Sequence, residues 1–173
     1  MLWTGDTPAA INPANRQYWT LLLEQYKIYV DSAHKTTERR IQTNTFFSSL
    51  HSALIAAIGY KLTQSPGPVT SLLMFIGALC AIQLCIVWHG LVVSFAQLNS
   101  AKFKVIGEME KCLPASPFWS AEWNMLGMGD KPEKYRPLTE LEKSIPSIFL
   151  IMYSALVIVT GLKLAQLAVA KWQ

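Results

Sequence analysis

The sequence predicts an all-α integral membrane protein with three transmembrane helices, and three observations carry that class. Of 173 residues, 51% are hydrophobic and only 15% charged, where a soluble domain carries about a quarter charged. The windows Val69 to Phe95 and Ile145 to Leu162 hold no Asp, Glu, Lys or Arg, and a third stretch, Asn44 to Leu62, holds one, Lys61. About 18 helical residues cross the ~30 Å hydrocarbon layer, so each is long enough to span. No Gly or Pro lies between Pro13 and Gly59, so a long N-terminal cytoplasmic helix is expected to continue into the first span, above a small helical cytoplasmic layer.

The first element, 1–43, is the cytoplasmic N-terminal helix. Asn12 followed by Pro13 is a helix start, because Pro lacks only an N–H that the first turn does not use. Trp19, Leu22, Tyr26, Tyr29 and Ala33 follow at spacings of three and four and form a heptad seam. The plain reading of that stripe is packing on the protein's own cytoplasmic segment, and the alternative is packing between subunits.

Transmembrane helix 1, 44–62, is polar for a span. Asn44, Ser48, His51, Ser52 and Gly59 gather with Ile55 on one face, and Phe47, Leu50, Leu54 and Ile58 populate the rest. Hydroxyl and imidazole groups cost several kcal/mol in hydrocarbon unless paired, so this face is expected to meet another helix, another subunit or a lumen. An outer turn at 63–68, TQSPGP, breaks the helix with two prolines around a glycine. Transmembrane helix 2 follows at 69–95, with Gly77 and Ala81 as a small pair one turn apart that permits close helix approach.

The cytoplasmic helical connection, 96–144, is too long for a structureless loop. Asn99 or Ser100 is expected to cap a helix running through Leu113, and Ser116 with Pro117 to start another ending near Gly127. Trp119, Trp123, Met125, Leu126 and Met128 supply an apolar surface for that helix to bury. Thr139 and Glu142 match a capping box before the last segment. Transmembrane helix 3 and a short outer tail fill 145–173. Pro146 starts or kinks that helix, Gly161 and Ala165 form a second small pair, Lys163 snorkels to the outer surface, and Trp172 anchors the interface.

Charge sets the orientation. Twelve of the fifteen Lys and Arg residues precede the first span or lie between the second and third, leaving Lys61, Lys163 and Lys171 for the other side. By the positive-inside bias the N-terminus and the long connection are expected to be cytoplasmic and the C-terminus outside, in a multi-pass membrane protein with no secretory signal ahead of it. All eleven acidic residues share the cytoplasmic side, so the net charge of +4 argues for neither nucleic acid nor a polybasic lipid anchor.

Candidate chemistry is sparse. His51 and His89 each lie six or seven residues inside their spans, so the two imidazoles could share a level and ligate haem or metal or relay protons. The structural alternative, favoured because no carboxylate or third ligand lies at that depth, is that each hydrogen-bonds a neighbouring hydroxyl or carbonyl. Cys80, Cys85 and Cys112 make no metal pattern and read as reduced or buried thiols. No nucleophile elbow, zinc-protease motif, phosphate loop or dinucleotide fingerprint occurs. Glu108 with Glu110, and Glu140 with Glu142, sit two apart and face apart on a helix. The expectation is no catalytic residue, no cofactor and no metal.

The segments EQYKIYVDSAHKTTERRIQTNTFF, QLNSAKFKVIGEMEKCLPASPF and the AEW that follows resemble the RipA-like octameric bacterial membrane proteins. The resemblance covers roughly Leu21 to Phe149. It implies an inner-membrane homo-octamer with a supporting role in envelope homeostasis or stress adaptation, and it supplies no catalytic residue. The function expected is therefore a non-enzymatic, ring-like oligomeric scaffold whose partners are itself and membrane lipid, with a cytoplasmic protein partner open. The alternative is a ring-shaped pore gated at the histidine-bearing face of helix 1. An enzyme acting on lipid or a redox carrier finds no constellation of residues to support it.

Overall fold

The computed structural model describes residues 2, 14–64, 67–127, 133, 135 and 138–170. All regular structure among them is helical: α1 (Arg16–Thr63), α2 (Pro68–Glu110), a π-helical turn (Pro117–Glu122) running into α3 (Trp123–Met125), and α4 (Leu138–Ala170). The uninterrupted N-terminal helix is present, 48 residues long. Its cap is Asn15, whose Oδ1 accepts the N–H of Tyr18 at 3.1 Å; the expected start at Asn12 and Pro13 lies outside the described residues.

α2 begins at Pro68, where the missing N–H is harmless. It then runs 43 residues without a break, which corrects the expected helix start at Asn99 or Ser100. Nothing in Val93–Ala101 breaks a helix: the run has no Gly or Pro, and good formers resume at once. The helix ends where the N–H groups of Cys112 and Leu113 fold back onto the carbonyls of Met109 and Glu110, at 3.0 and 3.1 Å, just before Pro114. α4 contains Pro146, fully buried, eight residues inside its start. Its ring removes one helix hydrogen bond, and beside it the hydroxyls of Ser144 and Ser147 bond the carbonyls of Leu141 and Lys143. The capping box is not described at Thr139; α4 starts one residue before it, with Glu140 in the first turn.

Two helices are long and apolar enough to cross a membrane, α2 and the Glu140–Ala170 part of α4. α1 has the length, but its polar residues keep it out of that class by composition.

The chain divides into two compact units, one built from Met1–Arg40 with Ser94–Leu138, the other from Ile41–Val93 with Thr139–Gln173. In the first, Leu22, Ala33, Ile106 and Met109 are buried. Lys102 reaches α1, donating to the Ser32 hydroxyl while its ammonium lies 5.1 Å from the Tyr29 ring centroid. In the second, Phe47, Trp88 and Val92 form a cluster packed by Ile145 and Phe149, and Ala81, Cys85 and Tyr153 form another, packed by Leu54, Ile55, Ile58 and Leu150. Buried Thr160 satisfies its hydroxyl on the carbonyl of Leu156 at 2.7 Å, the usual solution for a hydroxyl inside an apolar helix.

Candidate functional site

The second unit holds an aromatic box around one histidine. His51 on α1 is completely buried. Its ring stacks 5.6 Å from the Trp88 indole at 12°, with Phe149 at 5.1 Å and Tyr153 at 5.5 Å between centroids. Phe47, one turn before His51, also stacks on Trp88, at 5.5 Å and 10°. Trp88 donates its indole N–H to Asn44 Oδ1 at 2.9 Å. Asn44 and His51 on the polar face of helix 1 thus find their partners on α2 and α4.

Both ring nitrogens of His51 are engaged. Nδ1 is 3.1 Å from the Tyr153 hydroxyl, that hydroxyl is 3.4 Å from the His51 carbonyl, and Nε2 is 3.7 Å from Cys85 Sγ. One assignment of protons satisfies every group: Cys85 S–H donates to Nε2, Nδ1–H donates to Tyr153 Oη, and Tyr153 O–H donates to the His51 carbonyl. That assignment rests on completing the network, as tautomers do wherever hydrogens are inferred.

His89 is not the partner of His51. It is exposed on α2 and lines a cleft of about 230 Å³ with Cys85, Ile86, Pro146, Ser147 and Leu150. Among the described residues no three side chains of the types His, Cys, Asp and Glu converge as a ligand set. The polar face of helix 1 is divided. Asn44 and His51 turn into the protein's own helices, Ser48 is half-buried, and Ser52 and Gly59 are exposed. Of the three covers expected for that face, another helix, another subunit or a lumen, the one over His51 is supplied by helices of the same chain. Cys85, expected as a reduced or buried thiol, is free and buried, and its contact with His51 on another helix has no signal in local spacing.

In the first unit the seam turns inward as the heptad spacing suggests: Leu22 and Ala33 are buried and Trp19, Tyr26 and Tyr29 half-buried. Tyr26 donates its hydroxyl to Oε1 of Glu110 at 2.9 Å. Glu110, 1% exposed, also accepts the Ser116 hydroxyl at 2.8 Å and the backbone N–H groups of Phe118 and Trp119 at 3.2 and 2.9 Å. Burial alone would raise the Glu110 pKa, but the bonds from Trp119, Ser116, Phe118 and Tyr26 outweigh it and hold the carboxyl below its usual range. Burial, then the bond to Glu110 and its charge, push Tyr26 up to about 12.

This carboxylate nucleates the π-helical turn. Ser116 caps it as expected, accepting the Ser120 N–H at 3.2 Å. The N–H of Ala121 bonds the Ser116 carbonyl, and the segment closes at Gly127 with φ of 73°. The expected apolar surface there is not buried: none of Trp119, Trp123 or Met125 is, and Met125 is 79% exposed. Met128 lies outside the described residues. The Trp119 ring instead lies flat against Gly107, where any Cβ would stand 2.5 Å from Cδ2.

Two helices of spanning length and composition, packed on a third through buried aromatic and polar pairs, are consistent with a helical membrane protein. The model of the octameric membrane protein family matches residues 23–162, and the chain belongs to that family. The resemblance to the RipA-like octameric proteins is thereby borne out. The chain has no match among curated proteins or among solved structures.

Proposed function

We propose that this chain is a non-enzymatic scaffold of the bacterial inner membrane, assembling as a ring of eight and supporting envelope homeostasis or stress adaptation. In this reading α1 supplies the first of three spans over 44–62, α2 the second and α4 the third, with the N-terminus cytoplasmic and the C-terminus outside. What supports the span in α1 is the way Asn44 and His51 find partners on α2 and α4, so a helix too polar to meet lipid unaided is compatible with hydrocarbon depth. What supports the ring is the family's name, together with an apolar stripe left open in the first unit.

That stripe is the observation carrying the assembly. Leu21 and Ile28 are 57% and 67% exposed, and their spacing of seven sets them on one side of α1, roughly a third of a turn round from buried Leu22 and Ala33. Glu24, Lys27, Asp31 and Lys35 flank them as ion pairs within α1. Heptad-spaced apolar residues edged by charges of both signs are what a second copy's helix packs against. A conducting ring has less support, since the imidazole that would line it is enclosed in the protomer. Ile28→Asp should shift detergent-extracted protein toward smaller species in size-exclusion chromatography with light scattering. An unchanged elution position would remove this stripe from the assembly.

A further inference from the structure

Given α1 as a membrane span over 44–62, a reading on which this inference rests, we propose that the groove between α1 and α4, headed by Lys163, binds one acyl chain of an anionic phospholipid.

The groove is apolar and open. Ile55, Ile58 and Leu62 line it from α1, and Met152 and Leu156 from α4, around a space of about 210 Å³. Tyr153 also lines it, with its hydroxyl engaged by His51 rather than offered to the groove. Gly59 adds no side chain to the wall, and a Cβ placed there would have nothing within 4 Å. At hydrocarbon depth such a furrow takes up a slender flexible chain, which recovers the dispersion contacts that an empty space forfeits.

The length suits one leaflet. Met152, Leu156 and Lys163 follow one another at spacings of four and seven and share a face of α4. Lys163 is exposed and lies ten residues beyond Tyr153, which is ~15 Å of helix. That is about half of the ~30 Å hydrocarbon layer. A chain lying along the groove from the level of Tyr153 therefore brings its headgroup beside the Lys163 ammonium.

Charge names the occupant. Between Glu38 and Glu108, and again after Glu142, the chain holds no Asp or Glu. A second copy in the same orientation would bring Lys61, Lys163 and Lys171 toward this end of the groove, and no acidic side chain to meet Lys163. A lipid phosphate supplies the missing negative charge, and one lysine at a membrane surface is worth about five-fold in affinity for an anionic lipid. Lys61 has no part in the site, since it lies about 100° round α1 from its neighbour Leu62 in the groove wall.

The test is lipid titration of the delipidated, detergent-extracted full chain, read by native mass spectrometry as lipid adducts per chain. Dioleoyl phosphatidylglycerol and dioleoyl phosphatidylcholine share their acyl chains and differ in net charge. One phosphatidylglycerol per chain is expected, preferred over phosphatidylcholine by about five-fold. Lys163→Gln should abolish the preference, and Lys61→Gln should leave it. Gly59→Leu places a good helix former where there is open space, and should lower the occupancy of both lipids. Equal binding of the two lipids by the unaltered chain, a preference lost equally in Lys61→Gln, or occupancy unmoved by Gly59→Leu overturns the site. Fewer chains per particle in Gly59→Leu, with lipid occupancy unmoved, assigns the groove to a second copy instead. In sealed spheroplasts a membrane-impermeant amine reagent should modify Lys61 and spare Lys27, which tests the span by itself. Any other labelling removes the span and the site with it, whereas the expected labelling without the lipid preference removes the site alone.

Discussion

The indole N–H of Trp88 donates to Asn44 Oδ1 across 2.9 Å, joining the middle of α2 to the polar face of α1. Trp88 is fully buried, so its donor has no water to fall back on. Asn44→Leu should destabilise the protein by about 1–3 kcal/mol, the usual cost of leaving a buried donor unpaired. Trp88→Phe removes that donor, so the double variant should cost less than the two singles added together. Thermal unfolding in detergent, followed for all three variants, checks both statements.

The Glu110 cradle gives the first unit a pH window with two edges. Its carboxyl is held below its ordinary value, so its contribution is present above about pH 4.5 and is lost as the pH falls through the lower folded value. Tyr26 runs the other way: its contribution is complete below pH 10 and is lost as the pH rises toward about 12. Hydrogen exchange of residues 116–126 should accelerate at both edges. Glu110→Gln should erase the acid edge and cost about 2–3 kcal/mol at neutral pH, because four donors lose a charged acceptor. Tyr26→Phe should erase the alkaline edge alone.

Gly107 has no room for a methyl group. Its Cβ would meet the root of the Trp119 indole, which cannot swing aside as the tip of a flexible chain does. Gly107→Ala should therefore cost about 1–3 kcal/mol and change tryptophan fluorescence. Adding Trp119→Ala removes the obstacle, so the double variant should unfold no earlier than Trp119→Ala alone.

Much of this architecture was legible in the residues. The run from Ala14 to Ile58 without Gly or Pro reads directly as one helix, the empty charge windows read as apolar spans, and Ser116 with Pro117 reads as a helix start. Other features were legible only halfway. The polar face of helix 1 signals that something must cover it, but periodicity along one helix cannot say whether the cover is a neighbouring copy or the same chain. The hydroxyl of Tyr153 lies 102 residues from His51, a separation that no local pattern encodes. Glu110 was weighed against Glu108, its near neighbour in sequence, while its partners come from Tyr26 on another helix and from a turn several residues on. The extent of α2 was misjudged because Asn99 and Ser100 are good caps in isolation, and a helix with packing on both sides of them keeps going.

The central claim is that copies of this chain assemble with one another in the membrane. Native mass spectrometry of the protein released from detergent micelles counts those copies directly. The expected result is a dominant species of eight chains that loses mass in whole-chain steps. A single chain as the only species, under conditions that keep α-helical circular dichroism intact, would contradict the claim.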